Sequence, residues 1–505
     1  MNGIPMPFQR RAIMSIAVLL SVFGSLQTVH AQTAEDAIRF TQRAPATGAR
    51  MSGLAGAGLV GIADQSALIL NPAGLAYFTR SELSAGLNIL STADEARYFT
   101  PAAGDVFERN LRDTGIGNIA WVYKVPTVTG SLVLAAAFNQ VNTFDRNLIF
   151  EGENSESSIS DSFLPFDDEY EVDFDNGAPF PRFFADTPEL AYLGGAIEFL
   201  GEDVGAGYPF YQAVDPSTTI RQSGEVLEEG RLKELNFGGA VEALKGVMAG
   251  ASLNLAFGSY RFRSDFDETD HLNQNGPSQY EIFLPNDTLR GFDQLFYTER
   301  LESDLVGVNA RFGVSGAIGP SVRLGVTLET PTYYNVNEDY ERIVETFFDE
   351  GGSLAHGGQP GDAGQGEFEY TITTPWRIGG GVAFAAVGLT VTADAEFVDW
   401  SQLRLDADTD QAYFEDVNRQ IRDDYEGVWN TRVGLEYNIE NLSLRGGIAF
   451  LPDPARDRIE LRNGDELDRE RTFFSLGASY KFADQLLLDF AWMQERFDDA
   501  YVPYG

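Results

Sequence analysis

The sequence predicts an all-β fold: a transmembrane antiparallel β-barrel with an N-terminal plug in its lumen. Three observations carry this. Apolar and polar residues alternate along many segments, the rhythm of a strand with two different faces. The connections between those segments are short, then long, in strict alternation. A tract of small residues, 53–74, precedes the first segment and fits no strand of a sheet.

The N-terminus reads as a secretory signal over residues 1–31. Gln9, Arg10 and Arg11 form a charged start, residues 12–26 are apolar, and Val29-His30-Ala31 offers a cleavage site. A membrane anchor helix is the alternative reading of the same run. A segment of 32–80 follows, then a barrel over 81–505 with long extracellular loops, the largest at 151–231.

Alternation is clear in residues 389–397, where Leu389, Val391, Ala393, Ala395 and Phe397 oppose Thr390, Thr392, Asp394 and Glu396. Residues 247–257, 321–329 and 441–450 repeat it. Thirteen strands are placed near 81–91, 116–125, 130–150, 232–243, 247–264, 298–317, 321–343, 366–384, 388–405, 427–439, 441–452, 469–482 and 485–497. Turns fall at 126–129, 244–246, 317–320, 385–387, 440 and 483–484. Long acidic loops fall at 92–115, 151–231, 265–297, 344–365, 406–426 and 453–468. A soluble sandwich has no reason to sort its loops this way, whereas a barrel with periplasmic turns and extracellular loops does. In hydrocarbon every backbone polar group must be paired, so the sheet has to close. Trp121, Tyr123, Trp376, Trp400, Trp429, Tyr437, Tyr480 and Phe482 lie near strand ends and are expected to form an interfacial girdle. Thirteen is odd where single-chain bacterial barrels are even, so a chain that stops short of its closing strand is expected, with a miscount as the alternative.

Composition sets limits. The 505 residues carry a formal net charge of −40 and no cysteine. Such a charge repels nucleic acid and anionic lipid, and no disulfide framework is available. Acidic extracellular loops and adaptation to high salt both account for the charge. Beyond the signal, no stretch approaches the ~18 apolar residues of a membrane helix.

The tract closes on Asn71-Pro72-Ala73 within SALILNPAGLAYF. Small residues let a segment pack inside a narrow bore, and Ile62, Leu68, Ile69 and Leu70 supply an apolar lining. Pro72 restricts Asn71 to extended backbone and ends any earlier helix. This stretch resembles the plug signature of the FadL family, outer-membrane transporters of long-chain fatty acids and other hydrophobic compounds. TTPWRIGGGVAF, VTADAEFVDWSQLRL, NTRVGLEYNIENLSLRGGIAF and FFSLGASYKFADQLLLDFAW are similar to it as well. The resemblance implies a 14-stranded barrel and passive uptake through the outer membrane of a Gram-negative-type bacterium, with no catalysis and no cofactor. Asn71, Pro72 and Ala73 would form the plug gate. Phe283, Leu284, Leu289, Phe292, Leu295, Phe296, Tyr297, Phe347 and Phe348 are the candidate ligand-binding residues; ordinary loop packing is the bland alternative for Phe292 and Phe296. In the family a kinked strand provides an exit, and Asn139, Gln140 and Asn142 would mark that kink. The expected partners are a hydrophobic small molecule and outer-membrane lipid, with no nucleic acid, and the barrel is expected to be monomeric. Some FadL-like barrels serve instead as structural anchors or shuttle subunits of secretion systems.

Residues 187–200 suggest an amphipathic helix, with Thr187 as cap, Pro188 in the first turn, and Leu190, Leu193, Ile197 and Leu200 on one face. His271 and His356 fall in loops, so no nucleophile–histidine arrangement is expected. Asp173 to Gly177, DFDNG, lacks the full calcium-loop pattern and reads as solvated acidic loop. No metal is expected.

Overall fold

Alternation with one apolar and one polar face builds a single curled antiparallel sheet. The structure, a computed structural model, describes residues 34–504 apart from 61, 100–102, 176–177, 202–208, 216, 285–286, 410 and 461–465. The proposed signal lies outside the described residues. In chain order the wall consists of β1 (Glu82–Phe99), β2 (Ala103–Lys124), β3 (Leu132–Thr143), β4 (Arg146–Asn154), β5 (Ile220–Leu244), β6 (Val247–Thr269), β7 (Gln294–Ile318), β8 (Val322–Glu329), β9 (Tyr333–Phe347), β10 (Gln365–Thr373), β11 (Arg377–Ala386), β12 (Leu389–Asp399), β13 (Gly427–Ile439), β14 (Leu442–Leu451), β15 (Arg471–Ala483) and β16 (Leu486–Arg496). β3 with β4, β8 with β9, and β10 with β11 are interrupted crossings, so these strands make thirteen passages.

Each passage pairs antiparallel with the next, from β1–β2 round to β15–β16. β1 and β16 are the two edges. They start side by side at the turn end, where Arg80 Nη1 donates to the Asp484 carbonyl. The six tight turns all occur, and Val387 and Gly388 both take positive φ (47° and 81°), the geometry that suits a two-residue hairpin.

The two faces exchange character along each long strand. On β6, Leu253 and Leu255 point outward and Asn254 inward; beyond Phe257 the outward residues are Arg261 and Arg263, and Tyr260 and Phe266 are buried inside. β7 does the same. Val306, Val308, Phe312 and Val314 face out opposite buried Asn309 and Arg311, whereas Asp304 and Glu302 face out opposite buried Leu301 and Leu305. Phe257 pairs with Val306, so both strands switch at one height. Below that height lies the lipid-facing band; above it the wall stands in water and behaves like a soluble sheet. Trp121, Tyr123, Trp376, Trp429, Tyr437, Tyr480 and Phe482 are exposed on the band. Trp400 does not belong with them. It is only 5% exposed, inside the barrel, with the Arg377 guanidinium 5.6 Å from its ring. Asp399 caps a one-turn helix there, accepting from the Ser401 backbone N–H, and turns the ring inward.

The structure corrects four further expectations. Residues 92–115 are mostly strand, because above lipid both faces can be polar and apolar alternation no longer marks a strand. The helix expected over 187–200 is α3, Asp186–Leu193; it ends at Gly194–Gly195, where Gly195 takes φ +76°, and Ile197 belongs to a short strand. Leu193 and Leu200 are exposed rather than sharing a buried face with Leu190. Residues 406–426 hold α4, Gln411–Asp424, rather than an acidic loop alone, and His356 lies in the short strand Ser353–Gly357.

Arginine at Val314, in the middle of the band, is expected to cost the barrel ~2–4 kcal/mol. Asp304→Lys, on the same face above it, should leave stability nearly unchanged. Denaturant unfolding from lipid vesicles, read by tryptophan fluorescence, compares the two.

Candidate functional site

The bore is occupied by the chain's own N-terminal segment. Helix α1 (Ala34–Thr41), the short α2 (Ala49–Ser52) and two one-turn helices, Gln65–Leu68 and Pro72–Tyr77, make up this plug. Asn71 has extended backbone (φ −150°, ψ 103°) and its side chain accepts from the Ala73 N–H, with Pro72 in the first turn. The proline therefore begins a helix rather than only ending one. The Asn71 Nδ2 donates to the Leu59 carbonyl (2.8 Å) and to Val326 O on the wall (3.3 Å).

Wall glycines make room for this turn and for the plug chain at Leu54. A Cβ on Gly313 would sit 1.8 Å from Asn71 Oδ1, one on Gly250 2.5 Å from the Pro72 carbonyl carbon, and one on Gly447 2.3 Å from that of Leu54. Any side chain at these positions would push the plug off the wall.

Charge completes the attachment. Arg43 of the plug lies 2.7 Å from Glu329 and 3.7 Å from Glu234. Arg311 binds both Glu234 oxygens at 2.9 Å and Glu329 at 2.7 Å. Lower in the bore Arg50 binds Glu436 through two bonds (3.0 and 3.1 Å), and Arg445 shares that carboxylate at 2.6 Å. Arg377 donates to Thr41 O (3.0 Å), and Asp394 accepts the Leu59 N–H (2.8 Å). Beside these, a ladder of carboxamides runs across four passages. Asn139, Asn236, Asn254 and Asn309 each donate to the next at 2.8 Å, the last to Thr332, while Thr47 of the plug donates to Asn139 (3.3 Å). All four asparagines are buried.

A cavity of ≈ 1960 Å³ runs beside the plug and opens between the edges β1 and β16, where exposed Leu83, Leu87, Leu488 and Trp492 also line it. Its upper part meets Phe144, Tyr260, Leu301 and Trp400, and its lower part passes Gln65, Ile69 and Leu70 to reach Ser81 and Glu82. Helix α4 closes over the upper chamber: Phe414, Val417 and Ile421 are buried in the same cluster as Ile38, Phe40 and Tyr260. Their i, i+3, i+7 spacing was the available signal, overlooked inside an acidic stretch.

A second apolar cluster forms a cap above the mouth. Leu289, Phe292, Leu295, Tyr297 and Phe348 lie in its core, Phe347 is half-buried, and Phe283 (75% exposed), Leu284 and Phe296 face water. The candidate ligand residues therefore divide into an interior set and an exposed set. Under the cap, Glu268 is fully buried. It accepts from Ser158 Oγ (2.5 Å), the Ile159 N–H (2.8 Å) and Gln222 Nε2 (2.6 Å), yet burial pushes its carboxyl up to about 7. The C-terminal tail is tied here too, through Tyr504 to Gln222 (2.6 Å) and Tyr501 to Ser264 (3.0 Å).

At the proposed kink, β2 pairs with β3 only as far as Asn139. The pairing of β3 with β5 slips between Gln140 and Asn142, and the strand breaks between Thr143 and Arg146. Asn139 itself sits below the slip, in the ladder. Of DFDNG, residues 176–177 lie outside the described residues, and Asp173 is part of a hairpin, Tyr170–Asp175 with Ala178–Phe183.

An antiparallel wall with an apolar outer band, a polar bore and a plug held by charge defines an outer-membrane channel-type barrel. Residues 239–502 match the family of outer membrane protein transport proteins (OMPP1/FadL/TodX), and the chain belongs to that family. It is thus an outer-membrane protein of Gram-negative type. It is 36% identical over 108 residues to outer membrane protein P1 of Haemophilus influenzae; the match spans 21% of this chain and 22% of that relative. Among solved structures it is similar to the P. putida toluene transporter TodX (13% identity, TM-score 0.48, 89% of this chain and 91% of that one). It is also similar to a Pseudomonas aeruginosa FadL homologue (14%, 0.47, 90% of each).

Two outcomes test this site. Gly313→Val should unseat the Asn71 turn while the barrel still assembles, so that trypsin cuts the plug at Arg43 and Arg50, which it spares in the parent. Glu268, with its pKa raised in the fold, favours the protonated state. Its contribution is fully present below the unfolded value near 4.5 and is lost as pH rises through about 7. The cap should loosen between pH 5 and 8 by up to ~3 kcal/mol, seen as faster hydrogen exchange in 158–162 and 266–270, and Glu268→Gln should remove that pH dependence.

Proposed function

We propose that the protein is an outer-membrane channel for the passive uptake of hydrophobic compounds, long-chain fatty acids among them. The observation that supports this most is the cavity beside the plug, where Phe144, Tyr260, Leu301 and Trp400 stand in the lining among charged groups such as Arg39, Arg146 and Glu228. A hydrophobic molecule would adsorb at exposed cap residues such as Phe283, Leu284 and Phe296. The interior set, Leu289, Phe292, Tyr297 and Phe348 with Phe347, would meet it as the cap opens. It would then enter the chamber around Phe144, Tyr260 and Trp400. The plug, with Asn71, Pro72 and Ala73 at its seat, controls passage, and the discontinuity at Asn139–Asn142 offers a side exit toward lipid. Nothing in this scheme draws on an energy source, and flow follows the concentration gradient.

Purified barrel in liposomes should speed entry of a labelled long-chain fatty acid or a labelled monoaromatic hydrocarbon several-fold over empty vesicles. Asn71→Ala should change that rate several-fold without altering heat-modifiable migration on gels. Uptake no faster than in empty vesicles overturns the transport reading, and an unchanged rate in the variant removes the plug's role.

A further inference from the structure

The outer face of the wall is not uniform in charge. The chain carries a formal net charge of −40, and β9 and β10 follow it above the lipid band. Asp339, Glu341, Glu367 and Glu369 face out there, and among the described residues of those strands no outward cation accompanies them.

Strands β5, β6 and β7 differ. Lys233 faces out between buried Leu232 and Glu234, and its cross-strand partner is Phe257, at the height where the wall leaves lipid. Above it on the same face stand Arg261 and Arg263 of β6 and Arg300 of β7, each about half exposed or more. Arg263 and Arg300 are direct cross-strand partners. Like charges set opposite each other destabilise a sheet. Arg261 meets Glu302 at 3.3 Å, Arg263 meets Asp265 at 2.7 Å and Arg300 meets Glu341 at 2.6 Å, each through a single guanidinium nitrogen. The exposed remainder of each guanidinium fork matches a phosphate, which it can hold through two parallel bonds.

Height selects the kind of phosphate. Arg263 lies six residues beyond Phe257 on β6. That is ~20 Å along the strand, or ~15 Å of rise at a tilt of about 40°. A glycerophospholipid carries its phosphate at one depth. A phosphorylated glycolipid carries phosphates on the sugars next to its acyl chains and on sugars further out. Glu229, Glu302 and Asp304 interleave with the cations, so a free anion gains little here. A phosphate already held at this height by its acyl chains binds at high effective concentration.

We propose that this patch is a binding site for the phosphorylated glycolipid of the outer leaflet, lipopolysaccharide. Its acyl chains lie on the band below, against exposed Leu253, Leu255, Val306 and Val308. Lys233 and Arg261 take the phosphate nearest the chains. Arg263 and Arg300 share one further out, which relieves the repulsion between them. The site stands whether or not the barrel transports.

Purified barrel in detergent is mixed with rough-type lipopolysaccharide, with the same glycolipid stripped of its phosphates, with phosphatidylglycerol and with inorganic phosphate. Binding is read by native mass spectrometry. The parent should bind the intact glycolipid and hold the stripped form at least about tenfold more weakly. The triple variant Arg261→Gln, Arg263→Gln, Arg300→Gln should lose affinity for the intact form by a similar factor while keeping its heat-modifiable migration on gels. A stripped glycolipid or phosphatidylglycerol that binds as tightly as the intact form overturns the proposal, as does inorganic phosphate that displaces the glycolipid at equal concentration. A folded triple variant with parental affinity overturns it as well. The comparison of intact with stripped glycolipid uses the parent alone, so it decides the matter even where the variant does not assemble.

Discussion

Charges inside a ring that stands in lipid must find their partners inside the ring, and here the plug supplies part of them. Glu329 and Glu234 receive Arg43 as well as the wall's own Arg311, and Glu436 receives Arg50 as well as Arg445. Removing one member of a buried pair costs ~3–5 kcal/mol because the remaining charge stays desolvated. Barrel and plug are thus electrostatically incomplete apart. The small-residue tract fits the same constraint: charge fixes where the plug sits, and Gly250, Gly313 and Gly447 let its backbone come close enough to be held there.

The second constraint is where the lipid stops. Inside the band the wall must be apolar outward and polar inward, and above it the reverse. The exchange at Phe257 and Val306 turns the upper half of the same sheet into a soluble barrel with an apolar interior. That interior needs a filling, which α1 and α4 provide around Tyr260. The chamber proposed for hydrophobic compounds is this filled upper half. Its oily character comes from strands that have left the membrane.

Much of this could be read from the chain. The thirteen passages and six turns follow from period-two alternation and loop length, signals imposed directly by lipid, and the plug seat follows from small residues ending at Asn71-Pro72-Ala73. What escaped did so for physical reasons. Above the band, β1 and β2 carry polar residues on both faces, so TADEARYF looks like loop. Trp400 shares its residue type and strand-end position with the girdle tryptophans, and only the cap from Asp399 turns it inward. Phe414, Val417 and Ile421 keep helical spacing, but acidic neighbours hide it. Arg43 and Glu329 are 286 residues apart in sequence, and no local pattern joins them. Asn139 interrupts an apolar face, which suggested a kink; its four-passage ladder depends on strand register, which the sequence leaves implicit.

These energies bear on how such a barrel can conduct. An outer membrane offers no nucleotide and no ion gradient to pull a plug out, so displacement would have to be thermal. Freeing Arg43 and Arg50 from their carboxylates alone would cost on the order of 6–10 kcal/mol if the two add. At ~1.4 kcal/mol per tenfold, the displaced state would hold roughly one molecule in 10⁴ to 10⁷. The Leu59 bond to Asp394 and the Asn71 bonds to the wall lower that further. A passage that depended on so rare a state would be slow. In the cap above the mouth, burial of Glu268 keeps the closing contacts sensitive to external pH.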